Sequence, residues 1–385
     1  MTDRRALLAA AAWATLAALA ADRGLAADRG LAARVLLMPA ESTSEELGAA
    51  AALEAGLAEA LSLRGWEVVG GEPLERELRR ARIRRTDSLS LELQKELLAT
   101  LEARAVLFST VASWRTVPEL LVALSARLVG AGGAVIWTEL SASTASASEG
   151  ALGLRRPESI EELAERVAGR LVADLPGPGG AARASAGPSR PMRLARPPTY
   201  RSRELGSERR RVALLPLANL TRASDAARGA GAAVARRVAA SAWLELVEPA
   251  DLRAAMVDAR IPSIRHLDPD RLRALGERLG TSCFLRGTIW RWREGVPGAL
   301  TGPEVEFELE LVDVAAGRVL WATHGARSGN DYTGLFLRGA IGSGVALTDR
   351  LVAEMLEALA ETEPTDPRAA RATIADASPS VEPDL

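Results

Sequence analysis

The segment Gly329 to Gly344, GNDYTGLFLRGAIGSG, gathers five glycines with a Tyr, a Phe and an Arg, the composition of a loop that wraps a ligand. Phosphate binding would need a G-x-x-x-x-G-K-[ST] cradle whose Lys reaches the phosphates. No Lys is present here, and the chain's single Lys is Lys95. Gly339, Gly342 and Gly344 lack dinucleotide-binding spacing, and the segment follows the last strand-like run rather than the first, where such fingerprints sit. Nucleotide binding is not expected. Two readings of the loop stay open. In one it folds back over its own sheet; in the other Tyr332, Leu335, Phe336 and Arg338 are an exposed docking element for a partner.

A Ser-His-Asp hydrolase needs a nucleophile and a base within hydrogen-bond reach. There is no G-x-S-x-G elbow, and the only two His are His266 and His324. His266 stands beside Asp268, which reads as a helix cap, and His324 ends a strand; both are expected at the surface or at a cap. A hydrolytic or nucleotide-dependent site near His324 and Asp331 is the alternative to a non-enzymatic protein.

Glu304, Glu306, Glu308 and Glu310 alternate along one strand face, as calcium ligands could. Cross-strand pairing with Arg291 and Arg293 on a solvated face explains the row without a metal. With one Cys, Cys283, and no H-E-x-x-H motif, no disulfide, metal or cofactor is expected. Trp290 is the better candidate for a contact surface.

The chain has 385 residues, 48% hydrophobic and 25% charged, enough for two domains. The net charge of −2 gives no basic field for nucleic acid. Arg4 and Arg5 precede an apolar run from Ala6 to Ala21, and Ala18-Leu19-Ala20 has the form of a cleavage site. That order predicts a signal peptide over 1–21. No Cys follows it, so an exported protein without a lipid anchor is expected, touching a membrane only peripherally or through an uncleaved leader.

A repeat organises the rest. Arg34-Val35-Leu36-Leu37-Met38-Pro39 matches Arg211-Val212-Ala213-Leu214-Leu215-Pro216 at an offset of 177, and Trp66 falls on Trp243. Trp114-Arg115 meets Trp292-Arg293 at 178, and Val135-Ile136-Trp137 meets Val319-Leu320-Trp321 at 184. Such drift is what loop insertions produce. Domains are expected at 34–175 and 211–360, joined by a Pro/Gly/Arg-rich linker at 176–210 and followed by a disordered acidic tail at 361–385.

The fold class expected is α/β (α+β), each domain a twisted mixed sheet of about five strands with helices packed on it. Val305, Phe307, Leu309 and Leu311 mark a half-buried strand that Val122, Leu124, Ala126 and Leu128 repeat. Leu347, Leu351, Met355 and Leu359 mark a helix stripe that Leu163, Val167, Leu171 and Leu175 repeat. The matched Trp66, Trp114, Trp137, Trp243, Trp292 and Trp321 are assigned to the cores.

RVALLPLANLT, WLELVEP, LGERLGTSCFLRGTI and VEFELELVDVAAGRVLWATHGARSG together resemble the envelope domains grouped around the curli secretion component CsgG, the LpoB-like penicillin-binding-protein activators and the N-terminal domain of TolB. The likeness covers most of 211–359 and, more faintly, 34–175. It implies non-enzymatic scaffold or adaptor work in the bacterial cell envelope, with an envelope protein or the cell-wall synthesis machinery as partner, and it is compatible with homo-oligomers. The family's lipobox Cys is missing. The connections are also too short for membrane-inserted hairpins, whose strands need about 9–11 residues each.

Overall fold

The computed structural model describes residues 33–42, 47–83, 85–148, 156–180, 194–206, 208–263, 267–295, 302–333 and 340–364. The predicted signal peptide, His266, Leu335, Phe336, Arg338 and residues 365–385 of the predicted tail lie outside them.

Two mixed sheets organise the chain. The first half runs β1 (Arg34–Leu37), α1 (Leu47–Leu63), β2 (Glu67–Val69), α2 (Glu72–Arg80), α3 (Leu91–Thr100), β3 (Ala105–Arg115), β4 (Leu121–Gly130), β5 (Val135–Thr144) and α4 (Ile160–Leu171). Its five strands lie in the order β2-β1-β3-β4-β5. The second half opens with β6 (Thr199–Arg201), β7 (Arg210–Leu214) and β8 (Ala218–Asn219). It continues with α5 (Ala226–Ala239), β9 (Leu244–Leu246), α6 (Pro249–Asp258), α7 (Pro269–Leu279), β10 (Cys283–Arg293), β11 (Glu304–Asp313), β12 (Arg318–Ser328) and α8 (Gly344–Glu361). Its sheet runs β6-β12-β11-β10-β7-β9, with β8 pairing β10.

Read from β9, the second sheet has the strand order of the first: two short parallel strands, then a three-stranded antiparallel meander. The expected core stripes face inward in both halves. Leu163, Val167, Leu171 and Leu175 are buried, as are Leu347, Leu351, Met355 and Leu359. Helix caps form in both halves, at Asp268 as expected and at Ser90 in the corresponding place. Ser90 accepts from the Leu93 N–H, and Asp268 accepts from the Arg271 N–H. The β-bulges correspond too. Pairing slips between Val111 and Ser113 in β3, and between Ile289 and Arg291 in β10. The extra residues are Ala112 and Trp290.

The second sheet has seven strands rather than about five. The added edge strand β6 comes from the segment expected to be a solvated linker. Thr199–Arg201 supplies alternating side chains that suit an edge, pairs antiparallel with Thr323–Trp321 of β12, and buries Tyr200.

Each sheet packs one face on two long helices, α1 and α4 in the first half and α5 and α8 in the second. On the opposite face α2 and α3 cover Leu36, Val106 and Phe108, and α6 and α7 cover Ala213 and Phe284. The halves then stack: α5 also lies on the second face of the first sheet, where Ala112, Ala123, Leu140 and Ala142 join its core. The sequence AARGAGAAVARRVA suits a helix pressed from both sides, because a shared layer has room for small side chains only.

Candidate functional site

Of the core tryptophans, Trp321, Trp137, Trp66 and Trp292 are buried, while Trp114 and Trp243 are half-buried against the cores. Trp66 donates its indole N–H to the Pro176 carbonyl at 2.8 Å, and Trp292 donates to Glu294 at 3.1 Å. Cys283 is buried, as a small core side chain should be.

Tyr332 lies against its own half of the chain. It is half-buried against the second core, and its hydroxyl donates to the Glu354 carboxylate of α8 at 2.7 Å. The Arg350 guanidinium stands 5.3 Å from the ring centroid. Burial and the Glu354 carboxylate push the Tyr332 hydroxyl well above the ordinary tyrosine value.

Two expectations change. His324 is buried rather than superficial, with Nε2 3.2 Å from Glu306, which is buried as well. The strand added at β6 closes the sheet edge here, and the His324 N–H donates to the Pro198 carbonyl. Glu306 therefore leaves the solvated row. Asp331 accepts from the Ser328 backbone N–H and closes a capping box with it. His324 and Asp331 thus have separate structural partners. Among the described residues no group of His, Cys, Asp and Glu could hold a metal.

The candidate site is the face of the second sheet turned away from α5 and α8. Strand register places Arg286, Thr288, Arg291 and Arg293 of β10 on it, opposite Glu310, Glu308, Glu306 and Glu304 of β11. Ala322, His324 and Ala326 of β12 extend the row. Arg286 pairs with Glu310 at 2.6 Å, Arg291 with Glu306 at 3.5 Å and Arg293 with Glu304 at 4.0 Å. Cross-strand ion pairing is therefore present as expected. Arg286, Arg291, Arg293 and Ala326 are exposed. Trp290 sits at the bulge, half-buried, and its indole N–H has no acceptor among the described residues.

In the first half the corresponding face is closed. Phe108, Ser113, Ser125 and Ala123 take the places of Arg286, Arg291, Glu308 and Glu306, while Arg115 and Arg127 stand where Arg293 and Glu310 do; α2 and α3 cover Phe108, and α5 lies over Ala112 and Ala123. Ion pairs rim that contact. Arg115 meets Asp225 at 2.8 Å, Arg236 meets Glu139 at 2.5 Å, and Arg127 meets Glu248 at 2.6 Å. Sequence reasoning missed all three pairs, since each joins residues about a hundred apart on elements whose periodicity says nothing about a partner. Burial would raise the Asp225 carboxyl, but the Ser113 hydroxyl and the Arg115 guanidinium outweigh it and hold it below the ordinary value. Glu294 goes the other way: burial raises it, although it accepts the Gly344 N–H at 2.8 Å.

No known family model matches this chain, and no curated protein does. Solved structures are similar over part of it. The PelC dodecamer from Paraburkholderia phytofirmans is 20% identical over 43% of this chain and 96% of that chain, with a TM-score of 0.28. Lipoprotein GNA1162 from Neisseria meningitidis is 21% identical over 37% and 99%, also at 0.28. The LpoB C-terminal domain from Escherichia coli is 16% identical over 32% and 85%, at 0.24. None of them assigns a role to a residue of this chain.

Proposed function

We propose that this chain is a non-enzymatic binding and assembly protein of the bacterial cell envelope, exported by residues 1–21, whose work is done through protein–protein contacts. The observation that carries the reading is the inequality of two equivalent sheet faces. On the first, Ala112 and Ala123 lie buried under α5; on the second, Arg286, Arg291 and Arg293 are exposed beside a half-buried Trp290. A face of alternating charge with its arginines exposed suits a partner of complementary charge, which its field would orient and select. The shared strand order supports reading the chain as two copies of one domain of the kind grouped around CsgG, the LpoB-like activators and the TolB N-terminal domain. The partner is then another envelope protein or the cell-wall synthesis machinery.

The hydrolase alternative needs His324 and Asp331 in one concave site. Their separate commitments, to Glu306 and to the Ser328 N–H, weigh against it.

The test is in-cell photocrosslinking from Thr288 and Arg291 on the face, with Val257 of α6, which is 66% exposed, as control. One envelope protein should be captured from the face positions and not from the control, and Arg291→Glu/Arg293→Glu should abolish its capture. Capture of the same proteins from all three positions would remove the face from consideration.

A further inference from the structure

Helices α1 and α5 hold corresponding places. Leu53, Leu57 and Leu61 of α1 pack into the first core, and Ala230, Val234 and Val238 of α5 pack into the second. Their other sides differ. Every residue of α5 is buried or half-buried, and the side away from its own core meets the first sheet. Arg228 donates to the Val111 carbonyl at 2.9 Å, Ala232 lines a cleft with Ser125, and Arg236 meets Glu139 at 2.5 Å.

At the offset of 177 those three places on α1 are Ala51, Ala55 and Glu59, and all three are exposed. Ala52 and Leu63 are exposed with them. From Ala49 to Leu63 the charged residues are Glu54 and Glu59 alone, and Glu54 accepts the Ala40 N–H at 2.7 Å. A surface helix turns a charged or polar stripe to water, and one that is apolar all round is ordinarily buried. Helix α1 therefore has the make-up of α5 without its covering.

The second sheet offers the surface that would complete it. Strand β6 takes the outer edge, which leaves the strip of β10 and β11, where Arg286, Arg291 and Arg293 are exposed. Glu304, Glu306, Glu308 and Glu310 stand opposite, yet the guanidiniums reach further out: the Arg291 side chain is 46% exposed and that of Glu306 5%. A carboxylate approaching this strip meets cations first. The row from Arg286 to Arg293 and helix α1 are each about 25 Å long, so the helix fits along the whole row.

We propose that α1 of one copy of this chain docks on the β10–β11 strip of a second copy, as α5 docks on the first sheet within the chain. Glu59 then comes to arginines where Arg236 comes to Glu139, with the charges exchanged between helix and sheet. The proposal rests on the reading of the second sheet as a protein-contact face, and it names what covers that face. Two different surfaces meet, so copies add head to tail.

The test is sedimentation of the purified full chain over a range of concentrations. Wild type should gain mass as concentration rises. Ala55→Arg on the helix, and Arg291→Glu/Arg293→Glu on the strip, should each weaken association by roughly tenfold or more, the size expected when a charge is buried without its partner. An equal mixture of the two should form a dimer and nothing larger, because each keeps one working surface. Glu59→Arg, which leaves the alanines in place, repeats the helix arm should Ala55→Arg melt below wild type. The proposal is overturned if wild type stays monomeric, if either variant associates as wild type does, or if the mixture of two folded variants stays monomeric. A monomeric wild type would remove the second copy as occupant and not the face itself, which capture of a different protein from Thr288 and Arg291 would still establish.

Discussion

Arg127 of β4 donates its Nε–H to Glu248 at the start of α6, 2.6 Å away and almost wholly out of solvent, so the first sheet grips the helix that begins the second half's outer layer. Glu248 has another duty: its second carboxylate oxygen caps α6 by accepting the Ala250 N–H. Breaking such a buried pair strands a charge, and that usually outweighs what the pair itself contributes.

Glu248→Ala should therefore destabilise the protein by about 3–5 kcal/mol, the usual penalty for removing one partner of a buried pair. Arg127→Met added to Glu248→Met should recover much of that loss, because no charge is then left behind. Urea unfolding measures both. An unchanged midpoint in Glu248→Ala would mean that the halves are held by the α5 packing alone.

The Asp225–Arg115 pair and Glu294 make stability depend on pH in opposite senses. The folded-state value of Asp225 lies below its unfolded one. The unfolded chain thus takes up the proton first, and the stabilisation is complete above about pH 4 and lost below it. Glu294 is raised, so its ionisation removes stability as pH climbs above about 4.3. Melting curves from pH 3 to 7 should show Asp225→Asn closing on wild type as pH falls, and Glu294→Gln gaining on wild type as pH rises. Gaps that stay constant across the range would show that neither carboxyl is perturbed in the fold.

Much of the fold was legible because local signals and global packing agree. The stripe Leu347, Leu351, Met355 and Leu359 is helical in period and buried in fact, and Val305, Phe307, Leu309 and Leu311 alternate and are buried. What the sequence hid was how the halves meet. Ala112 and Trp290 occupy the same bulge, yet α5 closes over Ala112 while Arg291 and Arg293 beside Trp290 are exposed, a difference no periodicity carries. His324 was misjudged because its burial depends on β6, a three-residue strand inside a stretch whose Pro and Arg content reads as linker.

Trp321 is fully buried in the second core, and Trp137 holds the corresponding place in the first. Trp321→Ala and Trp137→Ala should each lose about 3–5 kcal/mol, the range for deleting a buried large aromatic. The indole N–H of Trp321 has no acceptor among the described residues, so Trp321→Phe should lose less than half as much. Because α5 is shared between both sheets, each variant should shift one cooperative transition. Two separated transitions in calorimetry would show that the halves unfold independently.

Two glycines on α5 should respond with opposite signs. At Gly229 an added Cβ would lie 2.7 Å from Val345 and 3.6 Å from Trp292, where α5 crosses α8. Neither neighbour has room to retreat, since Val345 and Trp292 are both buried. Gly229→Ala should therefore destabilise by about 1–3 kcal/mol through overpacking, despite alanine's better helix propensity. Gly231 meets nothing, so Gly231→Ala should stabilise by about 0.5–1 kcal/mol, the plain difference between the two residues in a helix interior. Thermal melts of the two variants decide it. If Gly231→Ala melts lower than wild type, the space beside Gly231 is filled in solution, and α5 sits closer to the first sheet than its geometry here allows.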